Sequence, residues 1–298
     1  CKNMDRICIS TFLLYRRCMC LILFSFDPNS SQPLQLAANR DEFLARPTAA
    51  AHRWEDDVNI FAGRDLVANG TWLGITKTGR FAAITNVREP SVVVDNPLSR
   101  GDLTRDFLMG NMNAETYLEQ ISSKQYRYCG FNLLVGEFTR SQQTLWYYSN
   151  RDKQNLSNKK YHRLDKGIYG LSNHLLNTEW PKVKAGKNFV EEATQKESFA
   201  QQTNPEKHDA LRVYLENKQL APDDQLPETG VSYPREKALS AAFILLPDYG
   251  TRTSTVITID KTHTTNTISF SEKNYQLDNS QLMPKNQEYI FEEWNSPK

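Results

Sequence analysis

Three consecutive stretches decide the reading: the apolar run Cys20-Leu21-Ile22-Leu23-Phe24-Ser25-Phe26, the turn formers Asp27-Pro28-Asn29-Ser30-Ser31-Gln32-Pro33, and Leu34-Gln35-Leu36-Ala37-Ala38, which is mostly apolar again. Two extended runs joined by a dense turn signal read as a β-hairpin. With the turn centred near Ser30, residue 20 falls opposite residue 40. Asn39-Arg40-Asp41-Glu42 therefore comes to lie beside Cys20, within a register error of one or two residues.

Further along, Thr71 to Thr76, a turn at Lys77-Thr78-Gly79 and Arg80 to Thr85 read as another hairpin, expected to pair with the first. From Leu98 the period changes. Ser99 is placed to cap a short helix ending at Met109, and Asn113 to cap another carrying Tyr117, Leu118 and Ile121 at helical spacing. Strands resume at Phe131 to Phe138, Thr144 to Tyr148 and Gly167 to Leu171, and helices are expected from Glu179 to Thr194 and from Glu206 to Asn217. Lys218 to Glu236, rich in Pro, Asp and Gln, reads as a surface loop whose length fits either a lid or a family-variable insertion. Ala241 to Leu246, Thr253 to Asp260 and Thr264 to Phe270 give closing strands. Strands, then helices, then strands again argue for an α+β protein in which helices cover antiparallel sheets, not for an alternating Rossmann array.

Composition narrows the function. Thirty-six basic against thirty-five acidic residues leave a net charge of +1, with no dense basic block after residue 20, so nucleic acid is not an expected partner. The longest apolar runs are far too short to span a bilayer, so no transmembrane segment is expected. Ile7 to Tyr15 is interrupted by Ser10 and Thr11, and Arg16-Arg17 stands where a signal-peptide cleavage site belongs, so a cytoplasmic protein is expected. Only Cys20 and Cys129 lie beyond the first nineteen residues, which is not a disulfide scaffold. The histidines show no HxxxH pair and no companion CxxC; neither a metal nor a cofactor is expected.

The chemistry centres on Cys20. A guanidinium beside a thiol favours the nucleophilic thiolate, and a carboxylate can orient an amine or hold the arginine. The plainer alternative is a buried structural cysteine beside a strand-end salt bridge. Met19 bears on the choice, because translation starting there, followed by loss of the methionine, leaves Cys20 with a free α-amine. That amine titrates at roughly 7.7 to 8.0 and can take up the thiol proton, so nucleophile and base belong to one residue. Residues 1–19 are accordingly expected to be a leader outside the fold, and residues 20–298 a single domain.

Asn39-Arg40-Asp41-Glu42 is also the tetrad after which the NRDE family is named, and the chain resembles that transport and Golgi organisation 2-like family over ordered blocks from Met19 to about Ile259. These include Arg46-Pro47, Ala62-Gly63-Arg64-Asp65, Gly70-Thr71-Trp72-Leu73-Gly74, Ala83-Ile84-Thr85-Asn86, Ser99-Arg100-Gly101, Gly130-Phe131-Asn132-Leu133, Tyr169-Gly170-Leu171-Ser172-Asn173 and Tyr249-Gly250-Thr251-Arg252. The resemblance implies a branch of the N-terminal nucleophile hydrolases, with a four-layer αββα sandwich of two antiparallel sheets. By analogy with the cysteine amidases of that superfamily it implies Cys20 as nucleophile, Arg40 and Asp41 beside it, Asn86 and Asn173 as oxyanion donors, and Arg252 as a late arginine facing the site. The amidase motif separates its arginine and aspartate, whereas here they are adjacent. Three functions follow as expectations: an amidohydrolase acting on a small amide or acyl substrate, a binding and trafficking protein for haem, an acyl-coenzyme A or a lipid-like ligand, or a degenerate hydrolase fold serving only as an interaction surface. Trp72 and Trp180 read as packed core aromatics, and Gly70, Gly74 and Gly101 as turn residues.

Overall fold

The computed structural model describes residues 19–152, 160–262, 265–277 and 284–295. The leader expected over residues 1–19 thus lies, except for Met19, outside the described residues, as does residue 264 at the start of the last expected strand.

The opening hairpin forms as read. Strand β1 (Met19–Phe26) pairs antiparallel with β2 (Leu34–Phe43), Cys20 opposite Arg40 and Met19 opposite Asp41. The turn is locked by Asp27, whose Oδ1 accepts from the Asn29 N–H and whose carbonyl accepts from the Ser30 N–H. Strands β3 (Thr48–Arg53), β4 (Ile60–Asp65), β5 (Leu73–Thr76), β6 (Arg80–Asn86), β7 (Phe131–Phe138), β8 (Gln143–Ser149) and β9 (Tyr161–Arg163) form one antiparallel sheet in chain order. The other sheet runs β10-β1-β2-β11-β12-β13, with β10 spanning Gly167–Leu171, β11 Tyr249–Lys261, β12 Asn266–Leu277 and β13 Pro284–Asn295.

Helices α1 (Gly101–Met109) and α2 (Ala114–Ser123) lie against β5 to β8, while α3 (Pro181–Thr194) and α5 (Asn204–Leu215) lie against β1, β2, β10 and β11. Short helices α4 (Glu197–Gln201) and α6 (Tyr233–Ala238) flank them. The layering is the αββα sandwich expected. Strand alternation explains it: Ile22 and Phe24 join Leu73 and Ile84 in the core between the sheets, and Leu21 and Leu23 join Val183 and Leu211 beneath α3 and α5. Strand β2 is central and covered on both faces, which is why all ten of its residues, including Asn39-Arg40-Asp41-Glu42, are buried.

Several local expectations are corrected. The 71–85 hairpin does not pair with the first; it belongs to the facing sheet, and the two meet through their apolar faces instead of their edges. Ser99 does not cap α1 with its side chain: the helix opens at Gly101 after Arg100, and it is the Ser99 carbonyl that accepts, from Asp102 N–H. Ala241 to Leu246 is not a strand but a buried irregular segment making one bridge, Leu245 to Gly250; Phe243 N–H donates to Asn217 O and Ile244 N–H to the Thr251 hydroxyl. A short apolar run cannot by itself distinguish those outcomes. The 218–236 loop carries the start of α6. Gly70 serves a close backbone approach, since a Cβ there would lie 2.5 Å from the carbonyl carbon of Gly101.

Candidate active site

Because side chains alternate along a strand, the tetrad serves two faces. Arg40 points between the sheets, on the face that Cys20 shares with Ile22. Its guanidinium lies 4.4 Å over the Trp72 ring, 3.3 Å from Glu42 Oε2 and 3.5 Å from Asp65 Oδ2. Asp65 is held in turn by Arg46, Nε to Oδ2 at 2.5 Å and Nη2 to Oδ1 at 3.1 Å, so Asp65 and Glu42 supply the counter-charge that Arg40 and Arg46 share. Cys20 is 4% exposed and, with Arg40, Trp72 and Ile84, lines a cavity of about 10 Å³, room for roughly one water.

Asn39 and Asp41 point the other way, toward the helices. Asn39 donates to the carbonyls of Leu215 and Ala242 (both 2.8 Å) and accepts from Ser254 Oγ, tying α5 and the 241–246 segment to the sheet. Asp41 is fully buried; its Oδ1 accepts from Thr251 Oγ1 at 2.6 Å, and its backbone carbonyl accepts from the Tyr249 hydroxyl at 2.8 Å. That hydroxyl itself accepts from the Met19 N–H at 2.7 Å. Burial pushes the Asp41 carboxyl up to about 6, opposed by the charge of Lys182 and the Thr251 hydrogen bond. Burial likewise pulls Lys182 down to about 8 against the attraction of Asp41, and its Nζ donates to Leu239 O at 2.9 Å. Arg88 completes the group: it pairs with Glu236, lies 4.8 Å over the Trp180 ring, and directs Nη2 at the Met19 sulfur, 3.2 Å away.

Met19, Asn86, Asn173 and Arg88 line a neighbouring cleft of about 80 Å³, walled by Val87, Val92, Val93 and Val231. Asn173 Nδ2 donates to the Asn86 carbonyl at 3.0 Å, and Ser172 Oγ to the Cys20 carbonyl at 3.0 Å, so the ends of β6 and β10 are laced to the start of β1. Arg252 sits at the bulge between Thr251 and Thr253, and its Nη1 lies 2.9 to 3.2 Å from the carbonyls of Phe43, Leu44 and Arg46. The fold thus brings Cys20 together with Arg40 on one face of the hairpin and sets Met19 opposite Asp41 on the other, while Asn86 and Asn173 line the cleft at the Met19 end of β1; Arg252 braces the turn after β2. Trp72 and Trp180 are both packed, each beneath a guanidinium.

Sequence reasoning missed Lys182, Arg88, Glu236 and Tyr249. One signal was present: Lys182 falls on the buried stripe Lys182, Val183, Gly186, Val190 of α3, and a lysine on an apolar stripe is uncommon without a partner. Among the described residues no group of three or more His, Cys, Asp or Glu side chains could hold a metal ion, and no helix is long and apolar enough to cross a membrane.

Two antiparallel sheets stacked between helices, with a buried cysteine at the head of a central hairpin and an Asn-Arg-Asp-Glu tetrad across from it, define an αββα protein of the kind expected from the NRDE resemblance. The family model for Transport and Golgi organisation 2 matches residues 19–277, and the chain belongs to that family. Relatives include the Transport and Golgi organization protein 2 homologs of Bos taurus, 35% identical over 258 residues, and of Homo sapiens, 34% identical over 252; each alignment covers 81% of this chain and 89% of the relative. Transport and Golgi organization protein 2 of Drosophila melanogaster is 28% identical, over 81% of this chain and 88% of its own length. Among solved structures, a Caenorhabditis elegans N-acylethanolamine-hydrolyzing acid amidase ortholog aligns with a TM-score of 0.39 at 10% identity, covering 80% of this chain and 92% of that one.

Proposed function

We propose that the chain is a cytoplasmic cysteine amidohydrolase of the N-terminal nucleophile type, active once Met19 and what precedes it are removed. The observation that carries this reading is the Cys20–Arg40 pairing on one strand face, with the backbone nitrogen of the preceding residue directed to Tyr249 beside Asp41 on the other. Freed, the Cys20 amine takes the thiol proton and Sγ attacks the carbonyl carbon of a small amide. Asn86 and Asn173, which line the adjoining cleft, are the proposed amide donors to the developing oxyanion, Asn173 through the Nδ2 hydrogen not given to the Asn86 carbonyl. The C–N bond breaks, the amine leaves with the proton, and a thioester remains. Water then adds to the thioester, releasing the carboxylic acid and restoring the thiol. Removing Met19 also takes one lining side chain out of the neighbouring cleft.

The test is intact mass together with an acylating probe. Protein whose first residue is Cys20 labels at that residue, and Cys20→Ala does not. Labelling elsewhere, or none in protein that begins at Cys20, refutes the reading.

The burial of Cys20 while Met19 is attached favours a second reading: a binding protein for haem, an acyl-coenzyme A or a lipid-like ligand, using the cleft without turnover. It requires thermal stabilisation by one of these ligands in Cys20→Ala as in wild type, and fails if neither responds.

A further inference from the structure

Two guanidiniums border the place of the Met19 side chain, and neither has all its donors met. Arg88 spends Nη1 on Glu236 and Thr229 and offers Nη2 to the Met19 thioether, a weak acceptor; its Nε is buried, and no described residue accepts from it. Arg235 lines the same cleft, 5.6 Å from the Tyr249 ring, and its Nε and Nη2 are both buried with no acceptor among the described residues. Buried donors left in this condition cost free energy that an incoming acceptor recovers. Charge points the same way. Among the described residues Arg88 pairs with Glu236 and Lys182 is drawn to Asp41, while Glu89 at the cleft is engaged by Arg151.

The two donors of Arg235 are its Nε–Nη2 edge, the pair of parallel N–H groups that takes a carboxylate side-on. This chain uses that edge for carboxylates repeatedly: Arg46 on Asp65, Arg53 on Glu292 and Arg151 on Glu89. Against it stand apolar walls, with Val92 and Val93 exposed.

We propose that Met19 masks a carboxylate subsite formed by Arg235 and Arg88, and that its loss exposes this subsite to an amide carrying a carboxylate on one side of the C–N bond and an apolar chain on the other, as an N-acyl amino acid does. As a substrate site it rests on the hydrolase reading above; as a binding site it is tested without turnover. Met19→Ala in the full chain opens the position, with Met19→Val as the milder variant should the first lower the melting temperature too far. Calorimetry then compares N-lauroylglycine, neutral lauramide and lauryl phosphate. The expected result is that either Met19 variant binds N-lauroylglycine at least ~10-fold more tightly than wild type, as charge-assisted hydrogen bonds gained by a buried guanidinium predict. Lauramide gains little, and adding Arg235→Gln removes the advantage for the carboxylate alone. Equal gains for lauramide mean that only apolar space was opened and overturn the proposal, as does a preference for lauryl phosphate or an Arg235→Gln protein that binds N-lauroylglycine as before. Loss of Cys20 labelling refutes the hydrolase and leaves these affinities standing; equal affinities refute the subsite and leave the labelling standing.

Discussion

Replacing Asp41 by asparagine tests the outer face of the tetrad through its pH dependence. In the folded chain burial raises the Asp41 carboxyl from 3.8 to about 6, in spite of Lys182, Thr251, Arg40 and Arg88. Between those two values the folded state holds a proton that the unfolded state has released, so the contribution of Asp41 to stability is fully present below about pH 4 and is lost as pH rises through 6. A shift of about two units is worth about 3 kcal/mol in full, and about 2 kcal/mol of it falls between pH 4.5 and 7. Lys182, lowered only to about 8, stays protonated across that window and contributes a constant term. The asparagine amide in the Asp41→Asn variant cannot ionise, but its oxygen still accepts from Thr251. Urea unfolding of wild type and Asp41→Asn at half-unit steps should therefore show wild type losing about 2 kcal/mol relative to the variant on going from pH 4.5 to 7. A flat difference, or one that grows in favour of wild type, refutes the placement of Asp41 as a buried carboxylate held charged at a cost. The outcome bears on mechanism because a carboxylate in that condition gains most from a new cation, such as a freed amine at residue 20.

His208, buried with its ring nitrogens 2.7 Å from Ser271 Oγ and 3.1 Å from Thr258 Oγ1, is driven down to about 3 by burial and by Arg212 and Lys207. The unfolded chain takes up that proton first, so wild type should lose about 3 kcal/mol more than His208→Asn between pH 7 and 4.5, and parallel pH profiles of unfolding would contradict this. Arg40→Met strands Glu42 and Asp65 with Arg46 alone and should cost about 3 to 5 kcal/mol by denaturant unfolding, with Arg40→Lys restoring only part, since the stack on Trp72 and the planar fork are lost. A lysine variant as stable as wild type would show that charge alone matters there. Gly70→Ala forces a Cβ to 2.5 Å from the Gly101 backbone and should destabilise by about 1 to 3 kcal/mol; an unchanged melting temperature would mean that the two segments part freely.

The elements that were legible were those fixed by local pattern. The Asp27–Pro33 turn set the β1–β2 register, and Asn113 caps α2 through Oδ1 to Thr116 N–H as its position before a periodic segment implied. What was not legible depends on which surface an element meets. The 71–85 hairpin carries the same alternation whether it extends the first sheet or faces it, so its strands were found and its partner was not. Strands β3 and β4 were missed because the stretches Thr48–Arg53 and Ile60–Asp65 are short and mix alanine, glycine and charge. The Arg88, Lys182, Glu236 and Tyr249 group comes from four separate elements or loops, and no spacing rule connects them.

The adjacency of Arg40 and Asp41, set against the separation of these residue types in the amidase motif, has a geometric meaning once the register is known. Neighbours on a strand cannot address the same face. Arg40 takes the face of the Cys20 side chain, where a cation matters to sulfur. Asp41 takes the face of its cross-strand partner Met19, and through Tyr249 it shares a hydrogen-bond path with the nitrogen of that residue. In the proposed hydrolase nucleophile and base both belong to Cys20, whereas the nitrogen that reaches Tyr249 in the full chain is that of Met19, one residue earlier. An arginine and an aspartate one position apart on the neighbouring strand place one charge on the face of the Cys20 thiol and the other on the opposite face, beside the residue before it, and a single-residue spacer between them would return both charges to the same face.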